Sequence, residues 1–261
     1  MVPIRRNGSQ RPLFLVHPAG GEVQYARDLA PWLNAEIPVY GIAANGFFAG
    51  EKTLNTIPDI AANYLTAIRE VQPQGPYRIA GWSAGGLIAH EMAHQAIALG
   101  ETIEFLGIID SNIQETAPNR PISEAQFLLV LVKGRMEPAL EASLQELAAT
   151  HEIEPMLISV LSNNLLPELG KDIDTALLRT HLAVAYSIYQ AMDTHVSPST
   201  AVKVSLFIAQ DEPRPDTTLG WRAFHGEHLH VTLVPGEHHT MMRAPYVSEL
   251  GEAISQALKC K

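Results

Sequence analysis

Two hydrophobic rhythms alternate along this chain. Short, mostly apolar stretches, PLFLVH (12–17), IPVYGIA (37–43), PYRIAGW (76–82), IEFLGIID (103–110), VKVSLFIA (202–209) and HLHVTLVP (228–235), read as strands. Between them the apolar positions take a helical spacing, near 22–33, over 57–72, 84–99 and from about 246 to 258. Pro58 falls in the first turn of the second helix, and Gly100 stops the third. Strands without a polar face, separated by helices, predict a parallel sheet covered on both sides, and so an α/β fold.

From about 113 to 200 this rhythm fails. The segment holds no convincing strand. It contains four helical stretches, SEAQFLLVLVKG, PALEASLQELAATH, EPMLISVLSNNL and DTALLRTHLAVAYSIYQAM, joined by Pro- and Gly-containing turns. An all-helical insertion between two strands of a sheet is expected to be a lid over the core. The alternative is an extra structural layer with no gating role.

Composition adds bounds. At 261 residues, 46% of them hydrophobic, the chain can bury one large core. No apolar run approaches the roughly 20 residues of a membrane helix, and the start, MVPIRRNGSQRPLF, lacks the apolar stretch of a signal peptide. A cytoplasmic protein without membrane contact is expected. The single cysteine, Cys260, permits no internal disulfide and agrees with a reducing compartment. A net charge of -10, with no basic cluster beyond Arg5 and Arg6, argues against nucleic acid as a partner.

Two catalytic signatures overlap in GWSAGGLIAHEMAHQ (81–95). Gly81-Trp82-Ser83-Ala84-Gly85 fits G-x-S-x-G, the nucleophile elbow of serine hydrolases. His90-Glu91-Met92-Ala93-His94 fits H-E-x-x-H, the zinc-peptidase motif. The serine reading needs a strand before the motif and a helix after it, and the pattern supplies both. Small neighbours let the backbone turn sharply at Ser83. The N–H of Ala84, at the start of the helix, then faces a developing oxyanion, and a second N–H is expected from Ala19 in HPAGG. The zinc reading needs a third ligand; Ile97 stands where the three-histidine form has glycine, and nothing marks a glutamate. His90 and His94 are therefore expected to be two partly exposed residues of an amphipathic helix, and no metal is expected. The histidines of HGEHLH (225–230) and GEHH (236–239) read as strand alternation and a loop.

A serine nucleophile needs a base and an acid, and in this kind of fold the order is Ser, acid, His. VPGEHHTMM (234–242) places His238 and His239 between the last strand and the last helix, and only one of the two can face Ser83. For the acid, Asp110 ends an apolar strand, where a carboxylate needs a purpose. Asp211 opens DEPRPD, a charged loop after the next strand, where a generic hydrolase carries its acid. On the residues alone the choice is even.

Together PLFLVHPAGG, VYGI, GPYRIAGWSAGGLIAHEMA, IIDS and GEHHTMM resemble the type I thioesterase domain of nonribosomal peptide synthetases and polyketide synthases. The likeness runs from about residue 10 to 258 and is weakest across the insertion. It implies an α/β-hydrolase fold, a mostly parallel sheet flanked by helices with a helical lid at 113–200, as one domain over 1–261. In that family the acid follows the strand after the nucleophile helix, which matches Asp110, and the histidine sits in G-x-H, which matches His238. The implied triad is Ser83, Asp110 and His238, with Ala19 and Ala84 as oxyanion donors. The implied activity is release of an acyl or peptidyl chain from a carrier protein's phosphopantetheine thioester, by hydrolysis or cyclisation, with no cofactor of its own. The lead-in over 1–10 would be the linker from an upstream carrier domain, and Met1 would stand inside a larger synthase. The alternatives are a stand-alone editing thioesterase or other serine esterase, and, from a different class, a non-catalytic binding module on the same fold.

Overall fold

The computed structural model describes residues 1–48, 50–113, 115–170 and 172–259, with Glu168 described by its backbone alone. Cys260 lies outside these residues. Seven strands form one sheet in the order β1-β3-β2-β4-β5-β6-β7. They are β1 (Val2–Arg5), β2 (Leu13–Val16), β3 (Val39–Ile42), β4 (Tyr77–Trp82), β5 (Ile103–Ile109), β6 (Val204–Ala209) and β7 (Leu229–Val234). All neighbours run parallel except β1, which pairs antiparallel with β3.

Strand β1 is a departure from the expected linker-like lead-in, because Val2–Arg5 belongs to the sheet. It is only four residues long with a proline inside, a weak strand signal. Arg5 reaches inward and donates hydrogen bonds to the carbonyls of Ala30, Asn34 and Ile37 at 2.7–3.1 Å. A guanidinium with that many acceptors can lie at a half-buried edge without an unpaired donor.

Helices cover both faces. On one side α2 (Ile57–Val71) and α3 (Ala84–Ala98) pack against the sheet with the short α8 (Trp221–His225); on the other lie α1 (Gln24–Leu29) and α9 (Val247–Ala257). Helix α2 starts where Thr56 caps it, its hydroxyl accepting the Asp59 N–H at 3.2 Å. Ile57, Ile60, Ala61, Tyr64, Leu65 and Ile68 then form its buried stripe at helical spacing. Helix α3 differs: every residue from Ala84 to Ala93 is buried, so it is a core helix and not the amphipathic one expected.

Among its described residues the insertion contains helices and no strand: α4 (Glu124–Val132), α5 (Pro138–Ala149), α6 (Ile153–Ser162) and α7 (Thr175–Asp193). Its first helix is fixed by a capping box between Ser123 and Gln126. These helices have a core of their own around Leu128, Leu144, Met156, Leu157, Val160 and Leu178. Helix α7 also reaches the body, where Val184 and Ile188 pack with Ala44 and Ala84. Among the described residues, no helix is long and apolar enough to cross a membrane.

Candidate active site

Ser83 sits at the carboxyl end of β4, in the middle of the sheet, where the chain turns into α3. Its φ of 56° and ψ of -126° lie outside the conformations an L residue prefers, at a cost of about 1–3 kcal/mol. Two glycines make the turn possible. A Cβ at Gly81 would collide with the backbone of Gly85, and one at Gly85 would stand 2.5 Å from the His17 carbonyl oxygen and 2.6 Å from that of Val16. Backbone cannot yield as a side chain can, so both positions exclude any other residue. Hydrogen bonds from Ser83 N–H to Ile109 (3.0 Å) and from Gly86 N–H to Ser83 (2.9 Å) hold the turn. Ala84 opens α3, so its N–H has no acceptor within the helix.

The loop after β2 lies beside it. His17 is fully buried at its root, with Nδ1 at 2.7 Å from the Pro18 carbonyl and Nε2 at 2.6 Å from the Tyr64 hydroxyl. A carbonyl only accepts, so Nδ1 carries the proton and Nε2 accepts from the tyrosine. Burial pushes the imidazole down to about 4, against a smaller opposing pull from the Pro18 carbonyl, which keeps it neutral. Pro18, Ala19 and Gly20 turn tightly, with Gly21 N–H bonded to the Pro18 carbonyl at 2.9 Å, and line one cavity with Ser83 and His238.

His238 follows β7, and its Nδ1 lies 2.6 Å from Asp110 Oδ2. The carboxylate accepts, so Nδ1 bears the proton and the lone pair is on Nε2. Asp110, at the end of β5 with φ 46°, is 2% exposed. Burial by itself would raise its carboxyl. Hydrogen bonds from His238, the Ala209 N–H (2.9 Å) and Arg214 (2.7 Å) outweigh that and hold it below the ordinary aspartate value. The tilted face of Trp82 packs on the His238 ring at 5.4 Å between centroids. His239 is the exposed neighbour, edge-on to the same tryptophan.

Asp211 does not reach the imidazole. Its Oδ2 accepts the Gly236 N–H at 2.8 Å, and its own N–H bonds the Gly236 carbonyl at 3.1 Å, so it braces the loop that carries His238. The rest of DEPRPD is less solvated than expected. Glu212 accepts the His238 backbone N–H at 2.8 Å, and Arg214 binds both Glu212 and Asp110. Alternating charges between prolines gave no sign in the sequence that this loop folds onto the acid.

The H-E-x-x-H histidines diverge. His90 is fully buried, against the expectation of partial exposure; its Nε2 meets Nε2 of His225 at 3.1 Å and its ring packs edge-on to Trp221. His94 Nδ1 contacts Thr200 Oγ1 at 3.1 Å, and Glu91 accepts from Gln95. Among the described residues no three His, Cys, Asp or Glu side chains converge as metal ligands.

Two cavities meet at Ser83 and His238. One, of about 590 Å³, runs under the insertion between Trp82 and the side chains of Phe127, Leu128, Leu131 and Leu182. The other, of about 620 Å³, is polar and more open, with Asn112, Glu212, Arg214 and Asp216 on its wall.

The sheet order, the serine turn at the end of the central strand and the histidine–aspartate pair beside it define the α/β-hydrolase class. Within that class the chain belongs to the thioesterase-domain family, whose model matches residues 11–258. It is 28% identical over 271 residues to an inactive atromentin synthetase of Paxillus involutus, covering 100% of this chain and 28% of that protein. With a dimodular nonribosomal peptide synthase of Bacillus subtilis it shares 36% identity over 140 residues, 53% of this chain and 6% of the relative. The chain thus spans under a third of the length of these curated relatives. A crystal structure of a four-domain nonribosomal peptide synthetase bound to AMP and glycine superposes on 97% of the chain and 20% of its own, with a TM-score of 0.83 at 26% identity. The thioesterase domain from a nocardicin cluster matches at 25% identity and a TM-score of 0.70, over 97% of this chain and 95% of its own.

Proposed function

We propose that this chain releases an acyl or peptidyl group from a carrier-bound thioester through an acyl-serine intermediate. The observation that carries the proposal is the 2.6 Å bond from His238 Nδ1–H to buried Asp110, beside a serine on a strained elbow at the meeting of two cavities.

In the first step Ser83 Oγ attacks the thioester carbonyl and gives its proton to His238 Nε2. Asp110 holds the imidazole in the tautomer with Nε2 unprotonated and stabilises the cation that forms. The oxyanion accepts from the N–H groups of Ala84 and Ala19, each contributing on the order of 3 kcal/mol. Collapse breaks the C–S bond, and the thiol leaves with the proton from His238. Water, or a hydroxyl or amine on the acyl chain itself, then attacks the ester, its proton passing through His238 to Ser83 Oγ. The product is a free acid or a ring.

The cavity under the insertion, walled by leucine and aromatic side chains, suits an apolar acyl chain. In this reading the helices of 113–200 are a lid, and their separate core supports that role. The relatives are multidomain synthetases, which supports an upstream carrier domain as the partner presenting the substrate.

A fluorophosphonate probe followed by peptide mass mapping tests the proposal. Stoichiometric label on Ser83 is expected, together with thiol release from an acyl-pantetheine thioester. An unlabelled, folded protein would identify it as a non-catalytic module.

A further inference from the structure

We propose that Arg214 is a positioning residue that sets the acid limb of activity by sharing Asp110 Oδ2 with His238, with Glu212 as its counterweight. The inference rests on the triad reading above.

The geometry is a closed relay of charge. Arg214 Nη2 lies 2.7 Å from Asp110 Oδ2, the same oxygen that His238 Nδ1 meets at 2.6 Å. The same Nη2 lies 2.6 Å from Glu212 Oε2, and the other oxygen of Glu212 accepts the His238 backbone N–H at 2.8 Å. The Asp110 side chain is fully buried and that of Arg214 is 16% exposed, so the contact is only partly screened by the water of the polar cavity beside it. One carboxylate oxygen thus serves two donors. A guanidinium held there draws off negative charge that would otherwise stabilise the imidazolium, and it pins the carboxylate in one orientation. Glu212 returns part of that charge and fixes the histidine's main chain.

Other groups around the imidazole are few. From the β7–α9 loop comes His239, itself held below the ordinary histidine value by burial and by the charges of His238, Arg243 and Arg135, against an opposing pull from Glu212. The β4 elbow contributes the apolar face of Trp82 and the hydroxyl of Ser83, and Asp211 is turned to the Gly236 N–H. Arg214 and Glu212 are therefore the charged pair in direct contact with the acid–base couple.

Opposite signs make the idea testable. Removing the cation leaves Asp110 more negative toward His238, so the imidazole keeps its proton to higher pH. Removing the Glu212 charge does the reverse. Arg214→Met should move the acid limb of kcat/KM on an acyl-pantetheine thioester up by about one pH unit, as expected for a charge within contact distance. Arg214→Lys should return it most of the way. Glu212→Gln, whose amide oxygen can still accept the His238 N–H, should move the limb down by a smaller amount. Limbs of Arg214→Met and Glu212→Gln that coincide with the parent, in folded and active enzymes, would overturn the inference; so would shifts of the same sign. If Arg214→Met does not fold, Glu212→Gln alone decides by its sign. A parent enzyme that turns over no thioester at any pH would sink the triad reading instead, a result distinct from unmoved limbs.

Discussion

Helix α3 stands between two histidine sites that share a neighbourhood and differ in everything that makes an imidazole useful. At its N-terminal end, His238 is a quarter exposed, bonded to a buried carboxylate, and opens on two cavities. One turn or two further along, His90 and His225 press ring to ring behind Trp221, with no carboxylate bonded to either. Burial, with the neighbouring histidines adding to it, pushes His90 down to about 3, and burial also lowers His225. A base needs a partner for its cation and a way out for its proton. The front site has both, and the back site is a packed polar pair that must stay neutral.

The sharpest way to break this contrast is to remove the partner. Asp110→Asn leaves the shape but lets the imidazole take the other tautomer, and in a well-studied serine protease the equivalent loss costs about 10⁴ in kcat. A loss of that order is expected here in steady-state thioester hydrolysis. Asp211→Asn, whose side chain accepts the Gly236 N–H away from the imidazole, should stay within about tenfold of the parent. A crippled Asp211→Asn beside a normal Asp110→Asn would move the acid to the later strand.

Acid should expose the back site next. A histidine whose folded pKa lies below its unfolded value stabilises the fold above about 6.5 and loses that contribution as pH falls toward the folded value. With His90 near 3 and His17 near 4, each should cost about 2 kcal/mol of stability between pH 7 and pH 5. Urea unfolding at the two pH values reads the sum. His90→Leu should flatten the loss by about 2 kcal/mol; an unchanged slope would mean that His90 does not stay neutral in the fold.

Much of this was legible beforehand, and the gaps have physical causes. Mostly apolar runs gave the six parallel strands to within a few residues, because the inner strands are buried and show little polar alternation, whereas β7, at the sheet edge, alternates His230 and Thr232 with apolar residues. Strand β1 escaped because four residues with a proline make a weak run, and the Arg5 side-chain bonds that also hold it are not recorded by hydropathy. Ser83 could be singled out because the elbow demands glycines at fixed spacing. Strand ends alone left Asp110 and Asp211 even and did not separate His238 from His239, and only the family resemblance chose between them. Arg214 and Glu212 were hidden: proline and charge in DEPRPD look the same whether the loop is solvated or folded onto a buried acid. His90 reads as partly exposed from the sequence, but α3 is covered there by α8, a five-residue helix too short to announce itself.

The smallest expected effect concerns the insertion. Its core is separate from the sheet's, so amides of α4 to α6 should exchange hydrogen faster than those of β4 and β5. An acyl adduct on Ser83 should slow them. Exchange as slow as in the sheet, with or without the adduct, would make the insertion a fixed layer and not a lid.

The central claim is that Ser83 carries the acyl group, and turnover of an acyl-pantetheine thioester by Ser83→Ala tests it most directly. The account predicts thiol release indistinguishable from buffer in a protein whose thermal unfolding matches the parent. Turnover within about tenfold of the parent would contradict it, since an alanine has no oxygen with which to form the ester.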